Sequence, residues 1–456
     1  MSETLRSVGI DIGTTTTQLV FSELTVQNEG AAFSVPNYAI TDKRVVYRSA
    51  AHFTPLRSET EIDAEGVRSI VAREYEAAGV ARGDVQTGAV IITGETARKE
   101  NARQVLDALA GFAGDFVVAT AGPALESVLA GKGAGAANLS EREHCAVLNL
   151  DIGGGTTNFA LFDCGALCDT GCINVGGRLM KLDADGTVRY VSPVLAPYFS
   201  FPLGSRVTPE SLRPVISLLT RLLEEAAGLR PRSERLAHFI TDRLPQWPDG
   251  VVLSFSGGVA ELMEKAPDDL FAFGDLGVLL GRAIRESRLC AGRWRLGEQR
   301  LRATVIGAGS YTTELSGSTI FCDGAAFPLK NLPVAALSRA DESLEPAALA
   351  QRVQTALAPY AGQEAVVALH GPRSPGYAQL SRLADGLAGG LTNVPFPIVA
   401  VREDMGKALG QALGARLHRP LVCLDGVLLP EGSYLDIGAP VAGGAALPVV
   451  VKTILL

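Results

Sequence analysis

The chain has little aromatic content, at 6% of its 456 residues, and few sites for soft chemistry, with five histidines and seven cysteines. The histidines form no metal or catalytic spacing. The cysteine count is odd and shows no paired framework, as expected of free thiols in a reducing compartment. No run of five like charges appears, and the net charge is −8. A nucleic-acid binder shows a basic patch; none is visible, so no nucleic-acid partner is expected. No uncharged stretch exceeds 16 residues, and the two of that length, Tyr190–Ser205 and Gly386–Val401, contain proline. A spanning helix needs about 20 apolar residues, so no membrane partner is expected. The first ten residues lack the basic start, apolar core and cleavage site of a secretory leader. The expectation is a cytoplasmic protein.

What is present is apolar bulk and glycine. Hydrophobic residues make up 47% of the chain, enough to offset chain entropy and exclude a disordered polymer. Glycine numbers 50, about 11% against a usual roughly 7%, without a collagen period. The length suggests about three domains. Strands are predicted over Val8–Ile12, Thr17–Phe21, Ala89–Thr93 and Phe116–Ala119. Helices are predicted over Asp63–Ala78, Glu95–Leu109 and near Pro123–Leu129, followed by a flexible loop, Gly131–Asn138. A second block opens with the strand Ala146–Leu150 and the hairpin Asn158–Asp163 with Ala166–Ile173. Its helix begins at Pro209 behind a Thr208 cap. The strand Val251–Phe255 and a helix over Leu276–Ser287 follow. A third block carries strands at Val366–Leu369, Ile398–Val401 and Leu421–Leu424. The alternation predicts an α/β protein, with domains at 1–145, 146–330 and 331–456.

The strongest signal is a duplicated turn. Val8-Gly-Ile-Asp-Ile-Gly-Thr-Thr-Thr-Thr17 and Leu148-Asn-Leu-Asp-Ile-Gly-Gly-Gly-Thr-Thr157 lie 140 residues apart. Each is a buried strand, an aspartate, a glycine turn, then threonines. Glycine lets backbone N–H groups approach an anion, and threonine adds hydroxyl donors. An aspartate repels phosphate unless a hydrated Mg²⁺ lies between them. Asp11 and Asp151 are therefore candidate metal-holding residues. Gly13, Thr14, Thr15, Gly153, Gly154, Gly155 and Thr156 are candidate phosphate contacts.

These residues resemble the phosphate loops of the actin, Hsp70 and sugar-kinase ATPase superfamily. The resemblance implies an actin-like (ribonuclease H-like) two-domain ATPase fold clamping ATP and Mg²⁺, here with an added C-terminal α/β domain. It implies that Ala121–Ala130 is the first connecting helix and Gly274–Ile284 the second. Ser256-Gly257-Gly258 resembles the adenosine motif, with Val305–Ser310 as its rival, and Gly176-Gly177 sits where the chain returns to the nucleotide. The family's Glu or Gln near the start of the first connecting helix is Gly122 here. Glu126, one turn on, is the candidate catalytic substitute, and Glu95 is another carboxylate; each also reads as a surface or capping residue.

Val8–Thr17, Ile91–Asn101, Asn149–Phe162, Val305–Ser318 and Asp425–Leu456 further resemble the reactivating factors of ethanolamine ammonia-lyase. That resemblance implies an ATPase that binds the lyase and releases damaged cobalamin, so that intact cofactor can rebind. The third domain is the expected partner contact. Homo-oligomerisation and association with a bacterial microcompartment stay open. A small-molecule kinase and a nucleotide-gated scaffold are the rival readings, although no sugar-kinase signature is present. Cys164, Cys168 and Cys172 read as hairpin packing rather than a zinc site. Asp183–Gly186 reads as a turn rather than a calcium loop. His370 lacks the Asp-x-His-x-x-Gly pattern of cobalamin ligation, since Ala368 and Arg373 stand at the outer positions.

Overall fold

Val8, Ile10 and Ile12 alternate with Ser7, Gly9 and Asp11, so the first strand has one apolar face and one small or polar face. That parity organises the first half of the molecule. The computed structural model describes residues 2–453 except 14–15, 31–37, 59–60, 94–95, 97–98, 114–116, 122, 242, 301, 312 and 318. The first sheet comprises β1 (Glu3–Ile12), β2 (Thr16–Asn28), β3 (Tyr38–Arg48) and β4 (His52–Phe53), then β5 (Thr87–Ile92) and β6 (Val117–Ala121). Its order is β3-β2-β1-β5-β6, with β4 paired to β2. β1, β2 and β3 form an antiparallel meander, and β5 and β6 run parallel to β1. The apolar face buries Val8, Ile10 and Ile12 against α1 (Ala64–Ala78) and α2 (Ala102–Ala113).

Two expectations in this half are corrected. α2 starts at Ala102, with Lys99–Asn101 outside it and the Asn101 amide bonded to both the N–H and the C=O of Ile62, whereas Glu95 lies outside the described residues. The expected loop Gly131–Asn138 is the end of α3 (Pro123–Gly133) and the start of α4 (Ala136–Glu143). Glycine costs a helix about 1 kcal/mol, and close packing outweighs it here. A Cβ on Gly131 would lie 2.5 Å from the Phe162 ring, and one on Gly133 would lie 1.9 Å from the Ala303 carbonyl oxygen.

The second sheet repeats the first. It comprises β7 (Ala146–Ile152), β8 (Thr157–Asp163) and β9 (Ala166–Ile173); beyond the two-stranded β10 (Met180–Leu182) and β11 (Val188–Val191) come α5 (Pro209–Ala226) and α6 (Glu234–Ala237). Then follow β12 (Val252–Ser256), α7 (Gly258–Leu262), α8 (Gly277–Arg285) and β13 (Trp294–Leu296). The order β13-β12-β7-β8-β9 matches the first sheet strand for strand, with β12 and β13 parallel to β7 and the hairpins antiparallel. Leu148, Leu150 and Ile152 face the core under α5 and α8, whereas Val147 faces α4. Thr208 caps α5 by accepting from the Ser211 N–H, ahead of Pro209.

Next comes α9 (Ala303–Tyr311). It lies on the small face of β1, where a Cβ on Gly9 would be 2.2 Å from the Val305 oxygen. Its other side crosses α3, where a Cβ on Gly307 would be 2.0 Å from the Leu129 oxygen. The helices that meet between the sheets are therefore α3 and α9. The expected second connecting helix, Gly274–Ile284, instead contributes α8, which packs on α7 through Gly281 and Leu262.

The third sheet has eight strands, in the order β14-β21-β20-β16-β17-β18-β19-β15. They are β14 (Glu314–Leu315), β15 (Phe321–Asp323), β16 (Leu329–Ala336), β17 (Val366–Leu369), β18 (Ile398–Val401), β19 (Leu421–Asp425), β20 (Ser433–Ile437) and β21 (Pro448–Thr453). β16 to β19 are parallel, and α10 (Arg339–Glu342), α11 (Pro346–Leu357), α12 (Tyr377–Leu391) and α13 (Gly406–Leu417) lie between them in the chain. Leu349, Leu387 and Leu409 form the core on one face, with Val367 and Val399. This sheet draws on residues from 314 onward, ahead of the expected boundary at 331. No described helix is long and apolar enough to cross a membrane.

Candidate functional site

Register sets each aspartate on one face of its strand, and α3 and α9 bring the two faces together. Asp11 lies on the same face of β1 as Ser7 and Gly9, toward α9. Asp151 lies on the same face of β7 as Val147, toward α4. Both faces look into the space between the sheets. The turns beyond them close on equivalent hydrogen bonds. The Gly13 N–H donates to the Thr16 carbonyl at 2.9 Å, and the Gly153 N–H donates to the Thr156 carbonyl at 3.0 Å. Asp11 stands opposite Gln18 in its hairpin, and Asp151 opposite Asn158.

Each carboxylate has neutral partners. Thr93 donates to Asp11 Oδ1 at 2.8 Å. Ser256 donates to Asp151 Oδ1 at 2.6 Å, and Thr304 reaches its Oδ2 at 3.5 Å. Asn149 donates in turn to Ser256 Oγ at 3.0 Å. Burial lifts Asp11 to about 7, with Thr93 pulling down and the charge of Asp151 pushing up. Burial lifts Asp151 to about 6, opposed by Ser256 and Thr304. Among the described residues no lysine or arginine pairs with either. Two carboxylates, Asp151 buried and Asp11 half-buried, that feel each other and lack a counter-charge suit a divalent cation.

The second turn has a backbone wall. The Gly177 N–H donates to the Gly153 oxygen at 3.0 Å, and the Arg178 N–H donates to the Gly154 oxygen at 2.6 Å. A Cβ on Gly176 would lie 2.3 Å from the Gly154 oxygen, so only glycine lets the two loops meet. Gly257, at φ 89°, presses against the Ile152 carbonyl, and Gly258 opens α7. Gly153, Gly154, Gly155, Thr156, Gly176, Gly177, Gly257 and Gly258 are thus gathered around the end of β7. Thr14, Thr15, Gly122 and Glu95 lie outside the described residues. Glu126 stands half-buried in the first turn of α3. The rival motif Val305–Ser310 is interior to α9, with Gly307 and Gly309 pressed on Leu129 and Gly9, which leaves no room there for a nucleotide base.

Thr93, Thr304, Gln18, Asn158 and Arg178 were missed by the sequence reading. Gln18 and Asn158 carry a legible signal, since each follows its aspartate by seven residues. Arg178 follows the Gly176-Gly177 pair; its Nε is buried with no hydrogen-bond partner among the described residues. Near it, burial lifts Asp275 to about 6 while the Gly277 N–H and the Arg178 charge pull it down. The remaining motifs resolve as turns and packing. Asp185 accepts from Thr187 and Arg206, which hold its carboxyl well below the usual range. Cys164 and Cys168 are exposed and Cys172 is buried. No group of three metal-ligating side chains occurs among the described residues.

The chain matches the family model "Ethanolamine utilisation protein EutA" over residues 3–456. It is 41% identical over 462 residues to the ethanolamine ammonia-lyase reactivase EutA of Salmonella typhimurium (strain LT2), covering 99% of this chain and 98% of that one. The reactivase of the same name from Escherichia coli (strain K12) is 40% identical, with the same coverage. Among solved structures, a Ppx/GppA family member from Aquifex aeolicus aligns with a TM-score of 0.40 at 13% identity, over 67% of this chain and 97% of that one. That likeness is too low to argue from.

Proposed function

The chain belongs to the EutA family of ethanolamine utilisation proteins, and from that premise we propose that it is an ATP- and Mg²⁺-dependent reactivase of ethanolamine ammonia-lyase. The observation that carries the reading is the pair of matching aspartate-bearing turns on facing sheets. The residues fit the cofactor: a buried and a half-buried carboxylate without a counter-charge, beside turns where missing Cβ atoms leave backbone accessible.

In this reading Asp11 and Asp151 hold the hydrated Mg²⁺. Gly13, Thr14, Thr15, Gly153, Gly154, Gly155 and Thr156 cradle the phosphates, with Gly176 and Gly177 behind them. Gly257 and Gly258 let the adenosine approach α7. The ion, when bound, neutralises charge on the phosphate oxygens. Thr93 and Ser256 orient the carboxylates from behind. Glu126 is the carboxylate we assign to water activation. The two sheets with α3 and α9 between them form an actin-like clamp that differs between ATP and ADP states. Such a clamp can act on the lyase only through a difference in affinity between those states. The third sheet supplies the lyase contact, and the cobalamin released stays the lyase's own.

The test is reactivation of cyanocobalamin-inhibited lyase with and without ATP. Asp151→Asn is expected to abolish both ATP turnover and reactivation. Normal activity in both would refute the assignment.

A further inference from the structure

Carboxylates and glycines leave Gln18 Oε1 and Asn158 Oδ1 unexplained, beside the buried Asn149 Oδ1 and the Arg178 Nε noted above. Gln18 is 5% exposed and Asn158 is 2% exposed. Among the described residues neither Gln18 Oε1 nor Asn158 Oδ1 has a hydrogen-bond partner. Buried polar atoms are nearly always paired, so two orphans at equivalent positions of a duplicated motif need a reason. The register supplies the place. Gln18 is directly opposite Asp11, and Asn158 directly opposite Asp151. Opposed residues share a face, with Cβ atoms about 5 Å apart. Each amide therefore stands beside one carboxylate, on the side that faces the other sheet. Gln18 Nε2 donates to Thr16 Oγ1 at 3.4 Å, which leans the amide toward the glycine turn.

The missing partner must be a hydrogen-bond donor. Ionised to hold a cation, the carboxylates are acceptors, and one oxygen of each already receives Thr93 or Ser256. Phosphate oxygens are acceptors as well. Water bound to a divalent cation is a strong donor, and magnesium keeps several such waters. We propose that Gln18 and Asn158 are positioning residues for the cation's water shell, each side-chain carbonyl accepting a hydrogen bond from one metal-bound water. The two carboxylates would hold the ion's charge, and the two amides would accept from its water. This inference rests on the Mg²⁺-nucleotide reading above.

The test is equilibrium binding of a fluorescent ADP analogue to the full chain, in Mg²⁺ and in EDTA. Asn158→Ala and Gln18→Ala are each expected to weaken binding about tenfold in Mg²⁺, the worth of one charge-assisted hydrogen bond. Binding in EDTA should not change. Asn158→Asp and Gln18→Glu keep an acceptor oxygen and should keep the Mg²⁺ enhancement. Equal loss in both media would reveal a merely structural role and overturn the proposal, as would no loss in either. Should Asn158→Ala fail to fold, Gln18→Ala and the two acidic variants decide alone. If the unsubstituted protein binds no nucleotide in Mg²⁺, the underlying ATPase reading falls. If it binds and the two alanine variants keep the full enhancement, only this inference falls.

Discussion

Mg²⁺-nucleotide binding should weaken sharply below pH 7, because the site must shed protons to accept the ion. Asp11 sits at about 7 and Asp151 at about 6, both raised first of all by burial. Holding both ionised makes binding about 20-fold weaker at pH 6 than at pH 8, of which Asp11 contributes about tenfold and Asp151 about twofold. The assay is titration calorimetry with MgADP at pH 6, 7 and 8, in buffers of different ionisation enthalpy, which counts the protons released. The nucleotide's own phosphate also titrates in this range. Asp11→Asn separates the two effects: it leaves the phosphate's contribution intact and removes the tenfold share of Asp11. The same shifts set the stability of the nucleotide-free chain. Both pKa values are raised on folding, so the folded state binds more protons than the unfolded one. The stability from these groups is fully present below the ordinary carboxylate value of 3.8 and is lost as pH rises through about 7. Asp11→Asn should therefore stabilise the empty protein at pH 8 while impairing Mg²⁺ binding. Identical pH profiles for the variant and the unsubstituted protein would refute the reasoning.

Gly133→Ala tests the helix crossing. In an ordinary helix this change stabilises by about 0.5–1 kcal/mol, but here the new Cβ would meet the Ala303 oxygen at 1.9 Å. A drop in melting temperature is expected, equivalent to about 1–3 kcal/mol or more; a rise would show that α3 and α9 do not touch as described. Where β17 leads into α12, Tyr377 is 86% exposed and the Arg373 side chain 88% exposed. Exposed Tyr and Arg are favoured anchors of protein interfaces. Arg373→Glu combined with Tyr377→Ala should weaken lyase capture and leave ATP turnover intact; unchanged capture would move the contact elsewhere.

Local chemistry was legible where one residue type decides it. The two hairpins, the Thr208-Pro209 helix start and the parallel strands of the third sheet all follow from turn residues, caps and apolar runs. Glycine was the blind spot. Gly131 and Gly133 lower helix propensity and suggested a loop, and Gly307 and Gly309 suggested a nucleotide turn. In the structure all four lie in helices. Their helix penalty is outweighed by contacts with Phe162, Ala303, Leu129 and Gly9, which are remote in sequence. For the same reason α8 was mistaken for the crossing helix, since Gly281 marks close packing without saying against what. At the site, the aspartates were legible from their repeated motif. Thr93 and Thr304 were not, because each reaches its carboxylate from an element whose position only the sheet order sets.

The placement of α9 also bears on how the chain is made. The small face of the first sheet, around Gly9, Val20 and Ala89, is covered by a helix that begins at Ala303, about 180 residues after β6 ends. At roughly 5–20 residues per second, the ribosome delivers that cover some 10–40 seconds after the sheet's last strand. Through that interval the small face of the nascent first sheet, with Val20, Ala89 and Ile91 on it, stands without α9, so the amino-terminal half cannot reach its final packing until the second sheet has been made.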